Sequence, residues 1–236
     1  MSSLSVRGLY AQYGKSRILH GVEFDVGDGE MVALLGRNGS GRSTAMKAVM
    51  GLLRPTAGSV LLDGVDLAGN APHVINRAGL AYVPEERLVF DQLTVQQNLE
   101  VGLAPLRPTR KTWAVEDMYA FFPMLWERRH VKAGRLSGGE QQMLTICRSL
   151  LGHPSVILID EPTEGLAPRI VEHLAEVMRT VNRSGVSVVL VEQKTTIALR
   201  LSNRCLIMGH GRIVFSGTPE ELQRSPAVRR EWLEAA

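Results

Sequence analysis

The residues best suited to chemistry lie in three short stretches. The first is "LLGRNGSGRST", residues 34 to 44. It follows the pattern G-x-x-x-x-G-K-[ST] with one change. Gly36 and Gly41 take the glycine places and Ser43 the hydroxyl place, while Arg42 stands where lysine is usual. Glycines open tight turns and keep side chains out of the way. Successive amides of Gly36, Arg37, Asn38, Gly39, Ser40, Gly41, Arg42, Ser43 and Thr44 are then free to wrap a phosphate. The helix that follows adds the positive end of its dipole, and Ser43 offers a hydroxyl to Mg2+. Arg42 keeps the charge of lysine in a longer, planar fork that grips phosphate bidentately. Binding is therefore expected to survive the change. A glycine-rich turn that only caps a helix has the same local look.

The second stretch, "SVILIDEP" at 155 to 162, ends an apolar run with two adjacent carboxylates. Side chains alternate along a strand, so Asp160 and Glu161 diverge. One can hold a metal ion while the other faces an attacking water. Strands also end in acidic turn residues without any catalytic reason. A phosphate loop on another buried strand favours the catalytic reading, because the carboxyl ends of parallel strands line the ligand crevice.

The third stretch is "LSGGEQQ", residues 136 to 142. Ser137 followed three residues later by Glu140 is a capping box that starts a helix. Gly138 and Gly139 weaken that start, by about 1 kcal/mol each at an interior position. Bare glycines at a helix N-terminus leave amides open to an anion. The chain thus offers a second phosphate contact, too far along to belong to the first loop.

The elements around these stretches read as follows. "LSVRGLYAQY" and "ILHGVEFDV" are two strands joined by a turn at Gly14, and "EMVALLG" is a short strand buried on both faces. "RSTAMKAVMGLL" is a helix stopped by Arg54-Pro55; "GSVLLDG" and "LAYVPE" are further strands. From 86 to 151 the strand pattern stops. "TVQQNLEVGL", "WAVEDMYAFF" and "GGEQQMLTICRSLLG" read as helices, with "APLRPTRK" and "KAGRLSGG" as connections. Strand "SVILID", a helix with Ile170, Leu174, Val177, Met178 and Val181 on one face, and strand "VSVVLVE" then form a parallel crossover. "RCLIMGHGRIVFSG" is a hairpin turning at Gly209-His210-Gly211, and the tail holds two short helices. The implied organisation is a core of 1–85 and 152–236 with an inserted helical lobe at 86–151.

Composition excludes several classes. At 44% hydrophobic and 22% charged over 236 residues, the chain is an ordinary folded sequence. No apolar run approaches the roughly 20 residues that span a bilayer. The net charge of +3 comes from no dense patch, so no nucleic-acid partner is expected. The six histidines show no H-x-x-H spacing, so no zinc site is expected. Cys147 and Cys205 are far apart in apolar contexts and read as buried, reduced thiols. With no apolar signal core at the N-terminus, the chain is expected to stay in the cytosol.

Taken in order, the three motifs resemble the ATP-binding subunit of an ABC transporter, and the resemblance covers essentially the whole chain. It implies an α/β fold: a P-loop NTPase core with a parallel sheet, an antiparallel β subdomain and an inserted α-helical lobe. It implies ATP and Mg2+ as ligands, and a dimer in which the phosphate loop of one subunit faces the signature helix of the other. By motif, Tyr13 in "QYG" stacks on adenine, although a strand aromatic packed on the sheet reads the same way. Gly36 to Thr44 hold the phosphates. Asp160 binds Mg2+ with Ser43 and Glu85, and Glu161 polarises the attacking water. Leu136, Ser137, Gly138, Gly139 and Glu140 form the signature that meets ATP across the dimer. Three positions depart from the general family: Glu85 replaces the usual Gln, "EGLAP" replaces S-x-L-D, and Gln193 replaces the switch His. "VPE", "EGLAP" and "VEQ" together are similar to the importers of branched-chain amino acids and of urea or short amides. The implied partners are a second ATPase subunit, transmembrane permease subunits and, indirectly, an external solute-binding protein, with the chain at the cytoplasmic face of the membrane. A stretch from Val89 to Glu100 resembles the part that receives the permease. Arg42 is the departure the subgroup does not account for. A catalytically weak partner in a heterodimer, and an ABC ATPase outside transport, stay open as alternatives.

Overall fold

The computed structural model describes residues 2–105, 112–193 and 195–234. Two sheets organise it. The first is antiparallel, in the order β2-β1-β4-β5, from β1 (Ser2–Tyr13), β2 (Ser16–Gly27), β4 (Ala57–Leu62) and β5 (Val65–Asp66). The second has the order β10-β9-β3-β8-β7-β6, from β3 (Met31–Leu35), β6 (Leu80–Val83), β7 (Val156–Asp160), β8 (Ser187–Val191), β9 (Arg204–Gly209) and β10 (Arg212–Gly217). Its strands run parallel except β10, which folds back on β9.

Every residue of β3, β7 and β8 is buried. Continuous apolar runs such as "VILID" and "SVVLV" reflect cover on both faces. Alternation decides which face each side chain takes. Val156, Leu158, Val189 and Val191 join Val32 and Leu34 in one core, shared with the antiparallel sheet and with α1 (Arg42–Val49). Ile157, Ile159, Val188 and Leu190 join a second core. That core is completed by α6 (Gly138–Leu150) and α7 (Pro168–Arg183). Leu174, Val177, Met178 and Val181 of α7 are buried there, and Ile170 packs on it at the edge. Each fully buried side chain of this size contributes about 1.5–3 kcal/mol.

The region read as helical carries α3 (Val95–Gly102), α4 (Val115–Phe121) and α5 (Pro123–Glu127) ahead of α6. The helix read as "WAVEDMYAFF" is α4, and α5, which Pro123 starts, was not read from the sequence. The connection read at 104–111 lies mostly outside the described residues. The helix read to Leu53 ends at Val49. Gly51 turns left-handed at φ 71°, and the amides of Leu52 and Leu53 return to the Lys47 carbonyl, so glycine and not Arg54-Pro55 stops it. Two further helices, α2 (Pro72–Ala78) and α8 (Thr195–Leu201), were not read from the sequence. The tail forms α9 (Pro219–Gln223) and α10 (Pro226–Trp232). Both cysteines are buried and free.

Candidate active site

Strands β3, β6, β7 and β8 are parallel neighbours, so their carboxyl ends open on one edge of the sheet. Four loops start there: the glycine-rich turn after Leu35, Pro84-Glu85 after β6, Glu161 after β7 and Glu192-Gln193 after β8. Together they line a cavity of about 450 Å³ with Tyr13, Asn38 to Thr44, Glu85, Glu161, Glu164 and Gln193 in its wall. Tyr13, at the end of β1, is half exposed and stands in that wall.

The turn needs its glycines. A Cβ on Gly36 would collide with the Met208 carbonyl of β9 and lie 2.8 Å from Ser40 Oγ. Gly41 caps α1 in a left-handed conformation, φ 104°, with no side-chain hydrogen bond, so the first amides of α1 face the cavity uncapped.

Arg42, the unusual residue, points inward and is 5% exposed. Its Nη2 donates to Glu161 Oε1 at 3.0 Å and to Asn38 Oδ1 at 3.4 Å; Nη1 donates to the Glu192 carbonyl at 2.8 Å. Gln193 Nε2 donates to both Glu161 oxygens, at 2.9 and 3.1 Å. Glu161 itself sits at φ 45°, a strained backbone for a residue with a Cβ. Such strain gathers at functional positions.

The acids are held under tension. Burial pushes the Glu161 carboxyl up; Gln193 and Arg42 oppose this, while Glu164 and Asp160 add to it. Burial also pushes Asp160 up, against the Ser43 hydroxyl, Tyr82 and the positive charges of Arg42 and Lys47. Tyr82 donates to Asp160 Oδ2 at 3.1 Å, whereas the buried Oδ1 has no hydrogen-bond partner. Glu85 is raised by burial and by Glu161 and Glu164 beside it. Carboxylate oxygens of Glu85, Glu161 and Glu164 all lie within 4.8 Å of one another. An unsatisfied buried carboxylate oxygen beside a hydroxyl and gathered acids suits a hard, oxygen-seeking cation. The donor set therefore fits Mg2+.

The signature segment lies elsewhere in this chain: none of Leu136 to Glu140 lines the cavity. Leu136 is buried. Ser137 caps α6, accepting from the Glu140 amide at 3.4 Å, and its own amide donates to Glu140 Oε2 at 2.7 Å. Gly138 and Gly139 follow as the first helical residues.

Sequence reasoning missed four participants. Tyr82 supports Asp160 from the neighbouring strand. Glu164 joins the acids, three residues after Glu161, a signal that "EGLAP" carried unread. Glu192 gives its carbonyl to Arg42 and accepts the Thr163 amide on its side chain at 3.2 Å. Arg87 reaches across to donate to the Glu164 carbonyl at 2.6 Å, and its guanidinium fills the space where a Cβ on Gly138 would stand.

Comparison with known proteins agrees with this geometry. The family profile described as ABC transporter matches residues 19–164. The chain is 40% identical to the "High-affinity branched-chain amino acid transport ATP-binding protein BraG" of Pseudomonas aeruginosa, over 98% of this chain and 99% of that one. It is 34% identical to the "Probable branched-chain amino acid transport ATP-binding protein LivF" of Archaeoglobus fulgidus, over 91% of each. A solved structure described as the ATP binding subunit of an ABC transporter superposes with a TM-score of 0.84 at 29% identity, covering 97% of this chain and 95% of that one. This chain belongs to the ABC transporter family, as one of its nucleotide-binding ATPase subunits.

Proposed function

We propose that the chain is the ATP-hydrolysing subunit of an importer that takes up branched-chain or other hydrophobic amino acids, or urea- and amide-like solutes, through separate membrane subunits. One observation carries the ATPase reading: the glycine turn, Glu161 and Gln193 line one cavity, and no residue of the signature segment lines it. A second subunit is what supplies a signature to that cavity. The importer class rests on "VPE", "EGLAP" and "VEQ" and on the printed names of BraG and LivF.

In this reading Tyr13 stacks on the adenine, and the amides of Gly36 to Thr44 with the Arg42 guanidinium hold the phosphates. Ser43, Asp160 and Glu85 would hold Mg2+, which when bound neutralises charge on the terminal phosphates. Glu161 orients and polarises the attacking water, and Gln193 fixes the Glu161 carboxylate by donating to it. Leu136, Ser137, Gly138, Gly139 and Glu140 of the neighbouring subunit close on the γ-phosphate. Because the site is composite, turnover depends on dimerisation.

The permease docks on the segment from Val89 to Glu100. Leu88 and Phe90 stand exposed there, and Val101 and Leu103 at the far end of α3 are exposed too. The fully buried Asn98 pins the loop: it donates to the carbonyls of Phe90 and Thr94 at 3.1 and 3.0 Å and accepts the Phe90 amide at 2.9 Å. Exposed apolar side chains on a fixed loop suit a partner. Among the described residues no helix is long and apolar enough to cross a membrane; in this reading separate chains supply the membrane part. The working place is the cytoplasmic face of the cell membrane. Purification of the tagged chain from membranes tests this. Co-purifying permease subunits that raise its ATPase rate with leucine-like or amide solutes are expected; recovery free of any membrane protein contradicts it.

The ion pair of Arg42 with Glu161 favours a second reading, in which this subunit binds ATP while a sister subunit does most of the hydrolysis. Disabling the glutamate of each subunit in turn separates the two.

A further inference from the structure

Arg42 does more than replace a lysine. Its two terminal nitrogens serve different partners: Nη1 the Glu192 carbonyl, Nη2 the Glu161 carboxylate. The side chains of Arg42 and Glu161 are 5% and 8% exposed, so water screens the pair little. A lysine carries one compact ammonium and has no fork to span two such acceptors. The other oxygen of Glu161 is taken as well, since Gln193 donates to both. Thus the start of α1, the end of β7 and the turn after β8 are tied through one guanidinium. In this arrangement Oε1 of Glu161 accepts from both Arg42 and Gln193, and Oε2 from Gln193 alone. The Arg42 guanidinium therefore occupies a site where a water would otherwise bind, and it offsets the carboxylate charge.

We infer that Arg42 is a phosphate-responsive clasp: without nucleotide it holds Glu161 and the Glu192-Gln193 turn in an inactive arrangement, and the γ-phosphate of ATP draws it away. The proposal rests on the nucleotide reading of the cavity and deepens it. Arg42 lines the cavity beside Asn38 to Thr44, where the end of a triphosphate lies in that reading. A phosphate offers the guanidinium a bidentate, doubly charged partner in place of one carboxylate oxygen. ADP, lacking the γ-phosphate, leaves the clasp shut. Arg42 is then a positioning residue that acts through Glu161, and it makes the active arrangement conditional on ATP.

The test is a double-mutant cycle on nucleotide affinity, measured by calorimetry on the purified chain with Mg2+ and either ADP or the non-hydrolysable β,γ-imido analogue of ATP. The chains are the native one, Arg42→Lys, Glu161→Gln and the double variant. Native far-ultraviolet circular dichroism and a Tm within about 4 °C of native, about 1–2 kcal/mol for a domain of this length, certify each variant as folded. Freeing Arg42 from a charge-assisted bond is expected to tighten the triphosphate about tenfold in Glu161→Gln, and less than about threefold when the same change is made in Arg42→Lys. Equal tightening in the two backgrounds overturns the clasp, because Glu161 then acts on the phosphates through its charge alone. An equal gain for ADP also overturns it. A native chain that binds neither nucleotide overturns the reading of the cavity, and the clasp with it.

Discussion

Glu161→Gln separates chemistry from folding at this site. The amide matches the carboxylate in shape and keeps an oxygen for Arg42 and Gln193 to approach. What it loses is charge. A hydrogen bond to a charged group contributes about 1.5–3 kcal/mol and a neutral one about 0.5–1.5, so the contact with Arg42 weakens by about 1 kcal/mol. Against that loss stands a relief. Burial, Glu164 and Asp160 hold the Glu161 carboxyl above its usual range, so its ionised form costs the folded state stability at neutral pH. The two terms oppose. The net change is within about 1 kcal/mol, or about 2–4 °C in Tm for a domain of this length. Turnover should fall by about 10²- to 10⁴-fold, the usual worth of a general base. The assay is phosphate release at saturating ATP by the assembled transporter, with thermal melting of the isolated variant alongside. Undiminished turnover at an unchanged Tm would remove Glu161 from the mechanism. A collapse of Tm by more than about 10 °C would show that the balance worked out here is wrong.

Two further expectations concern stability. Glu85 is raised by burial and by its acidic neighbours, so its charge costs stability above its ordinary value of 4.5 and the cost fades as pH falls toward that value. Glu85→Gln should therefore raise Tm at pH 7 by about 1–3 °C, the scale of a surface charge contact, with the gap closing in acid. A lower Tm at pH 7 would mean that the carboxylate makes a favourable contact. Gly36→Ala puts a Cβ against the backbone of Met208 and 2.8 Å from Ser40 Oγ, at a positive φ. It should cost about 1–3 kcal/mol in melting experiments and abolish ATP binding by moving the turn; native melting and affinity would show that the close approach is unimportant.

Much of this was legible in the sequence for one physical reason. Strands β3, β7 and β8 are covered on both faces, so their apolar runs stand out, and each is followed directly by a residue with a chemical role. Helix α2 was not legible because it buries only Ile75 and so shows no apolar face. Helix α8 buries Ile197, Ala198 and Leu201 in seven residues, too short for its period to register. The partners of the site are set by strand order, which sequence spacing does not encode. Arg42 and Glu161 are 119 residues apart, and Tyr82 and Asp160 are 78 apart. Each pair meets because the strands or loops that carry it open on the same sheet edge. The pairing of Arg42 with Glu161 is therefore a property of the fold, visible only once β3, β8 and β7 lie side by side.

The central claim is that two subunits share each ATP between unlike surfaces. The most direct measurement is a cryo-EM or crystal structure of the Glu161→Gln chain with its own permease and any sister ATPase, loaded with Mg-ATP. The account predicts each nucleotide of this chain's cavity wedged between residues 36–44 of one subunit and a signature segment, such as 136–140, of its neighbour. ATP resting against only one of these surfaces in the closed assembly, or lying outside both, would contradict it.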